Sequence, residues 1–189
     1  MIDFSLWAEC ENEESLNELK VHFSSFQHTF LTGRTLSFSA VILNEEVCGL
    51  SVGSTQLCPN GRGIESLNDA LEVTEAGIVL YHRLKTAPDF RFAHVDWNAE
   101  LKTSEGLSES VEIMEDGRRW MSFRCAVNDE LYKQIGSPAS FWQFREGYWW
   151  RKYRGETYMP LWSSDQKELL ELSERLLPKN LDWEGKAAW

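Results

Sequence analysis

Two short patterns contain residue types that catalysis could use. The run from Gly49 to Gly53, Gly-Leu-Ser-Val-Gly, has the spacing of a nucleophile elbow, in which a serine sits on a strained turn between a strand and a helix. The residues around Ser51 instead predict a strand that continues into a loop from Ser54 to Gly63. Because glycines in a bent strand give the same pattern, a serine hydrolase is the least favoured function.

A second pattern places His94 and Asp96 two residues apart on a predicted strand, with His82 on the preceding predicted strand. Side chains two apart on a strand point to one face, so a metal or acid–base site could form there. The spacing is not diagnostic, because a hydrogen-bonded patch uses the same residue types. Any chemical role of His94, Asp96 or Ser51 is left open, and the sequence predicts no catalytic residue, metal site or cofactor.

The four cysteines, Cys10, Cys48, Cys58 and Cys125, show no C-x-x-C pairing. Neither a zinc site nor a small disulfide scaffold is therefore indicated, and reduced, mostly buried thiols are expected. The Gly61-Arg62-Gly63 loop lacks the third glycine of a dinucleotide site and the lysine of a P-loop. No phosphate-binding loop is predicted.

Length and composition describe a globular chain. Its 189 residues are 42% hydrophobic and 26% charged, with a net charge of -11, and a chain of this length can bury a core without disulfides. We expect a single domain over residues 1–189. The negative charge disfavours double-stranded DNA and favours basic partners. The acidic segment Met1–Glu14 lacks the basic flank and apolar run typical of a secretory signal, and the longest apolar runs are far shorter than about 20 residues. We therefore expect a cytoplasmic protein with no membrane partner.

The charge is unevenly distributed along the chain. Met1–Pro59 holds 2 basic and 8 acidic side chains, and Asn60–Gly117 holds 5 and 12. Arg118–Met159 reverses the balance with 8 basic and 4 acidic side chains, and Pro160–Trp189 holds 4 and 6. The basic segment also contains much of the tryptophan and tyrosine. It is therefore the most distinctive surface that the sequence predicts.

The N-terminal region predicts an amphipathic helix. Five apolar residues fall on one stripe at helical spacing: Leu16, Leu19, Phe23, Phe26 and Phe30. Asn12 is suited to cap the start of this helix, and Gly33 is placed to end it.

Beyond Gly33 the apolar period changes to two, which predicts strands. The predicted elements are a hairpin of Thr35–Leu43 and Glu46–Gly53 about Asn44, a short helix near Ser66–Leu71, and strands at Gly77–Leu84 and Phe90–Trp97. Two hairpins follow, separated by a short helix from Asp129 to Ile135 that Asn128 caps. A last helix is predicted after a capping box of Ser163 and Gln166, with an apolar stripe at Leu169, Leu172 and Leu176. The fold class predicted is α+β, with a largely antiparallel sheet built from hairpins and with N-terminal and C-terminal amphipathic helices packed on it.

The register of both late hairpins follows from their apolar residues. A three-residue loop ending at Gly117 sets Ile113 opposite Arg119 and Val111 opposite Met121. Arg118, Trp120 and Arg124 then share the polar face, while Val111, Ile113, Met121, Phe123 and Cys125 share the core face.

A similar loop ending at Gly147 sets Phe144 opposite Tyr148 and Trp142 opposite Trp150. Those four residues are expected on the core face. The other face is predicted to carry Phe141, Gln143, Trp149, Arg151, Tyr153, Tyr158 and Trp162. This second face is either a binding platform or a surface that the last helix covers.

These patterns favour a small acidic binding protein without catalytic function, whose contact with a protein partner could neutralise that partner. Aromatic side chains beside arginine are typical of contact hot spots. The alternative is a pocket for an anionic planar ligand, such as a nucleotide or a short single-stranded nucleic acid, because bases stack on aromatic rings. The candidate binding residues are Arg118, Trp120, Arg124, Gln143, Trp149, Arg151, Tyr153 and Tyr158.

Overall fold

The computed structural model describes residues 3–44, 48–57, 61–153, 155 and 161–176. The strands in these residues are β1 (Phe4–Glu9), β2 (Phe26–Thr29), β3 (Thr35–Asn44), β4 (Gly49–Gly53), β5 (Phe92–Trp97), β6 (Val111–Ile113), β7 (Arg119–Met121), β8 (Ala126–Asn128), β9 (Trp142–Arg145) and β10 (Tyr148–Trp150). The α-helices are α1 (Glu13–His22), α2 (Leu67–Leu84), α3 (Asp129–Gln134) and α4 (Gln166–Leu176). Short 3-10 turns occur at Ala99–Leu101 and Leu107–Ser110.

Eight of the strands form one antiparallel sheet in the order β2-β3-β4-β1-β5-β8-β10-β9, and β6 and β7 form a separate two-stranded sheet. Consecutive hairpins supply the β2-β3, β3-β4 and β9-β10 pairs. The predicted α+β class with a large antiparallel sheet is confirmed.

Both faces of the sheet are covered near its centre. Phe4, Leu6 and Ala8 of β1 point into the larger apolar cluster, which also contains buried residues of α1 and α2. Trp7 points the other way, into a second cluster with residues of α3, the Leu107–Ser110 turn and β7. Burial on both faces explains why the alternation of apolar and polar residues in β1 is interrupted by the apolar Trp7.

Helix α2 corrects the largest error of the sequence prediction. The sequence predicted two elements here, a short helix near Ser66–Leu71 and a strand at Gly77–Leu84. The structure has one helix, Leu67–Leu84. Ser66 caps it by accepting a hydrogen bond from the Asp69 amide. Its buried residues recur at steps of three and four: Val73, Ala76, Gly77, Leu80, Tyr81 and Leu84. This period is helical, and the valine and isoleucine content of the segment concealed it.

Helix α1 begins where predicted, with the Asn12 side chain accepting from the Ser15 amide at 2.9 Å, but it ends at His22 instead of near Gly33. Ser25 has a positive φ of 24°, which breaks the helix. Phe26 then lies in β2 and stacks on Phe38 of β3 at 4.9 Å. Phe26 and Phe30 are four residues apart, a spacing that fits a helix and a strand equally.

The predicted register of the β6-β7 hairpin is confirmed, with Ile113 opposite Arg119 and Val111 opposite Met121. Met121 is buried, but Ile113 is 75% exposed, so its predicted core position is wrong. The hairpin stands beyond the main sheet, and only its inner end reaches the second cluster.

In the β9-β10 hairpin, Trp142 lies opposite Trp150 as predicted. Tyr148 pairs with Arg145 instead of Phe144, because a bulge shifts the register beside the turn. Trp142 is 59% exposed and so lies outside the core.

Asn128 caps α3 as predicted, and its Oδ1 accepts from the Leu131 amide at 2.9 Å. The cap of α4 is Asp165 instead of Ser163, because Asp165 Oδ1 accepts from the Lys167 amide at 2.7 Å and the Asp165 carbonyl accepts from Leu169. In the described part of the chain, no helix has the length and apolar character needed to cross a membrane.

Candidate functional site

Two adjoining cavities open at one end of the main sheet. Their volumes are about 420 and 520 Å³, and Glu11 and Glu130 line both. The sheet brings this end together because β1 and β8 finish there, while β4, β5 and β10 begin there. Five strand ends therefore meet around one depression.

Acidic side chains dominate the lining of this depression. Among the described lining residues seven are carboxylates and one, Arg91, is a cation. We call this depression the acidic groove, and its carboxylates are Glu9, Glu11, Asp89, Glu105, Asp129, Glu130 and Glu146. Carboxylates that converge from several elements produce a strong local negative potential.

Glu9 forms the inner wall of the groove and is only 4% exposed. Its Oε1 accepts hydrogen bonds from the Trp7 indole Nε1 and from the Ser104 backbone amide, both at 3.0 Å. These bonds satisfy a buried charge that would otherwise be costly. They also fix the loop at Ser104 against the end of β1.

Gly49 lies under the same indole. A Cβ at this position would collide with the Trp7 ring, so only glycine allows Trp7 to lie flat across the start of β4 and reach Glu9. Gly49 is the first glycine of the Gly-Leu-Ser-Val-Gly run. A packing requirement therefore explains this part of the elbow-like pattern.

Hydrogen bonds hold the rim of the groove in place. Asn128 Nδ2 donates to Glu11 Oε1 at 3.0 Å, and the Trp149 indole Nε1 donates to Asp129 Oδ1 at 2.5 Å. Tyr148 donates its hydroxyl to Asp89 Oδ1 at 3.0 Å, and burial raises the pKa of this phenol. The rim is therefore fixed before any ligand arrives.

The arrangement is suited to binding a cation-bearing partner. Carboxylates form charge-assisted hydrogen bonds with lysine and arginine side chains, and arginine can bridge two oxygens at once. Among the described residues, no group of three or more His, Cys, Asp or Glu side chains has the arrangement of a metal site.

The structure brings some of the sequence-predicted site residues together on the β6-β7 hairpin. The Arg151 guanidinium lies 5.1 Å from the centre of the Trp120 ring and donates from Nε to the Ser122 carbonyl at 3.0 Å. Arg118 pairs with Asp116 at 2.6 Å, and hydrogen bonds from Arg118 lower the pKa of Asp116. Arg124 follows β7 by three residues and is half-buried.

The remaining predicted residues do not form a common platform. Trp149 stacks on Tyr132 of α3 at 4.5 Å, so α3 covers its ring, and Gln143 lies opposite it on the edge strand. Tyr153 is 7% exposed in the larger cluster, on the other side of the sheet. The predicted shared face is wrong here, because β10 ends at Trp150 and Tyr153 lies beyond the strand in the cluster opposite Trp149. Tyr158 lies outside the described residues.

The two catalytic patterns have structural roles. Ser51 lies in the middle of β4, opposite both Val41 and Trp7, so it is not on a strand-to-helix turn. His94 is fully buried, and its Nε2 donates to the Ala99 carbonyl at 2.8 Å. Burial lowers the pKa of His94 to about 4.

The neighbours expected around His94 are also separated. Asp96 pairs with Lys102 at 2.7 Å instead of with the imidazole. His82 is exposed on α2, and α2 packs on the opposite face of the sheet.

The sequence prediction missed the acidic groove. Its carboxylates are spread from Glu9 to Glu146, and none forms a recognisable motif with another. The available signal was the large excess of acidic residues before Gly117. That signal predicts a basic partner but does not indicate where the carboxylates meet.

Comparison of the chain with protein-family models, with curated proteins and with solved structures found no match. The functional argument therefore rests on the geometry of the groove and on its charge.

Proposed function

We propose that this chain is a binding protein without catalytic function, and that the acidic groove receives a basic segment of a protein partner. One observation carries the proposal: seven carboxylates and one cation line two adjoining cavities. Binding that occludes a basic surface of the partner would neutralise it. We also propose a cytoplasmic location, which is supported by cysteine spacings that do not indicate a disulfide scaffold.

The basic segment supports this placement of the site. Three of its eight cations contact rings within the protein: Lys152 lies 4.7 Å from the centre of Trp142, and Arg145 lies 4.1 Å from that of Tyr148. Arg151 lies against Trp120 in the same way. Because these cations already stack on rings within the protein, they are partly desolvated and ordered without a partner.

We also propose that residues 1–189 form one domain with both terminal helices packed on the sheet. For α1 this is supported by Leu16 and Leu19, which are buried in the larger cluster with residues of β1, β3 and β4. α4 contacts α2.

The test uses a fluorescein-labelled, arginine-rich peptide and an acidic peptide of equal length, with binding followed by fluorescence anisotropy. We expect the basic peptide alone to bind. Glu105→Gln with Glu146→Gln removes one carboxylate from each cavity and should weaken binding about 3- to 10-fold, since exposed ion pairs contribute roughly 0.2–1 kcal/mol each.

The matched control is Glu18→Gln with Glu171→Gln. These exposed residues on α1 and α4 lie outside the groove, and their replacement changes the net charge equally. The control should change the affinity less than twofold. Equal weakening by the two double variants would show that net charge alone attracts the peptide and would contradict a binding site in the groove.

An anionic planar ligand is the second candidate, and the Trp120–Arg151 pair is the observation that favours it. A nucleotide base could stack on the half-buried Trp120 ring with its phosphate near Arg118 or Arg124. Tryptophan fluorescence titrated with a nucleotide at two salt concentrations tests this candidate. An unchanged signal up to millimolar nucleotide would remove it.

A further inference from the structure

Two cysteines lie opposite each other where β1 ends and β4 begins. The ladder between these strands ends at the pair of Glu9 and Gly49. Cys10 and Cys48 are the adjoining residues just beyond that pair, and Cys48 has a positive φ of 47°. The Cys10 amide donates to the Cys48 carbonyl at 3.1 Å. Residues in such a pair have Cα atoms about 5.5 Å apart, within the roughly 4.4–6.8 Å that a disulfide spans.

Both side chains occupy the same surroundings. Cys10 belongs to the larger apolar cluster, and Cys48 packs against that cluster. Both also line the smaller cavity of the acidic groove. A small oxidant can therefore reach the pair from the cavity, although Cys10 itself is only 5% exposed.

We propose that Cys10 and Cys48 are an oxidation site, at which a small disulfide such as oxidised glutathione converts the two thiols into a cross-strand disulfide. The Cys48 thiolate attacks one sulfur of the oxidant, forms a mixed disulfide and releases one glutathione. The Cys10 thiolate then attacks Cys48 Sγ and releases the second glutathione. The two electrons lost by the cysteines reduce the oxidant, and the two thiol protons end on the released glutathione molecules.

The surroundings set the order of these two steps. Burial is the largest of the effects that raise the pKa of Cys10 to about 12, and the nearby Cys48 and the carboxylates of Glu11 and Glu9 act in the same direction. The half-buried Cys48 therefore attacks first, because the thiolate is the nucleophile. Once Cys48 is in a mixed disulfide it no longer carries a thiolate that opposes ionisation of Cys10. The second step should accelerate as the pH rises.

Cys125 supplies the matched comparison. It is fully buried in the second cluster, does not line the groove, and has a pKa that burial raises strongly. Oxidised glutathione should leave it as a thiol in the folded protein.

The experiment treats the reduced full-length protein with oxidised glutathione, alkylates the remaining thiols and maps the products by non-reducing peptide mass spectrometry. We expect one linked pair of peptides containing Cys10 and Cys48, lighter by two hydrogen atoms than the reduced pair. Cys10→Ser should stop the reaction at the mixed disulfide on Cys48, and Cys125→Ser should leave the link unchanged. Circular dichroism before and after treatment confirms that the protein stays folded.

Three results would overturn the proposal: a Cys48 that remains glutathionylated beside an alkylated Cys10, a link between Cys48 and Cys58, or alkylation of both Cys10 and Cys48. The wild-type map decides among them even if a variant does not fold. Because no binding partner is used, the outcome is independent of the proposed function of the groove.

Discussion

The imidazole of His94 organises the turn that follows β5. Its Nε2 donates to the carbonyls of Ala99 and Lys102, at 2.8 and 3.2 Å. Its Nδ1 has no hydrogen-bond partner among the described residues. A proton added at Nδ1 would place a charge in an apolar setting between Phe92 and Phe123. This is the physical reason that the pKa of His94 falls to about 4.

This lowered pKa predicts a loss of stability in acid. Between the ordinary histidine pKa of about 6.5 and the folded value of about 4, the unfolded chain binds a proton that the folded chain does not. The contribution is therefore complete above about pH 6.5 and decreases as the pH falls. Integration gives a loss of about 2 kcal/mol by pH 5. Urea unfolding at about pH 7.5 and pH 5 measures it.

His94→Gln is the control for this prediction, because its amide can still donate to the Ala99 carbonyl but does not titrate. The carboxylates affect both proteins alike. The wild type should therefore lose about 2 kcal/mol more than the variant between the two pH values. Parallel losses in the two proteins would show that His94 is not responsible.

At the scale of elements, the sequence predicted those helices and strands whose signals lie within a few neighbouring residues. The cap and start of α1, the helix α3 and the β3-β4 hairpin were all predictable, because capping residues and the alternation of apolar residues act over a few residues. The end of α1 and the extent of α2 were not. Phe26 and Phe30 fit two periods, and α2 contains β-branched residues that tertiary packing holds in a helix.

Helix α2 approaches the chain beyond β10 closely at Gly77, where an added Cβ would collide with the buried Tyr153 ring. Alanine normally stabilises a helix interior relative to glycine by about 0.5–1 kcal/mol. At Gly77 overpacking should outweigh this gain, and Gly77→Ala should lower the free energy of unfolding by about 1–3 kcal/mol. Chemical denaturation measures the change.

Gly106→Ala is the matched control for this substitution. Gly106 has a negative φ of -83°, and no atom would lie within 4 Å of its added Cβ. Its replacement should change the unfolding free energy by less than about 0.5 kcal/mol. A Gly77→Ala protein as stable as the wild type would mean that Tyr153 can move aside, so that this contact does not fix α2.

At the scale of the whole molecule, the net charge of -11 is organised in a way that the sequence alone did not indicate. The basic segment remained the most visible feature because its residues are contiguous. The acidic groove requires the sheet, since strands β1, β5 and β8 must pair before Glu11, Asp89 and Glu130 come together. Such non-local assembly has no sequence motif. The sequence could therefore predict the negative charge of a binding site but not which carboxylates form it.

The groove's own carboxylates should repel one another in the unbound protein. Repulsion between like charges destabilises the compact state, and salt screens it, since the Debye length falls from about 30 Å at 0.01 M to about 8 Å at 0.15 M. Glu105→Gln with Glu146→Gln should therefore raise the free energy of unfolding by about 0.5 kcal/mol or more at 0.01 M salt, and less at 0.15 M. Urea denaturation at both ionic strengths measures the difference.

The same double variant is expected to bind a basic peptide more weakly, so stability and binding should change in opposite directions. That combination distinguishes a binding surface from a structural ion network, in which removal of a carboxylate would weaken both properties. The control, Glu18→Gln with Glu171→Gln, carries the same net charge with the groove intact. It should gain less stability at 0.01 M salt, because its charges lie apart on α1 and α4. A groove variant that is less stable than this control would assign Glu105 and Glu146 a structural role.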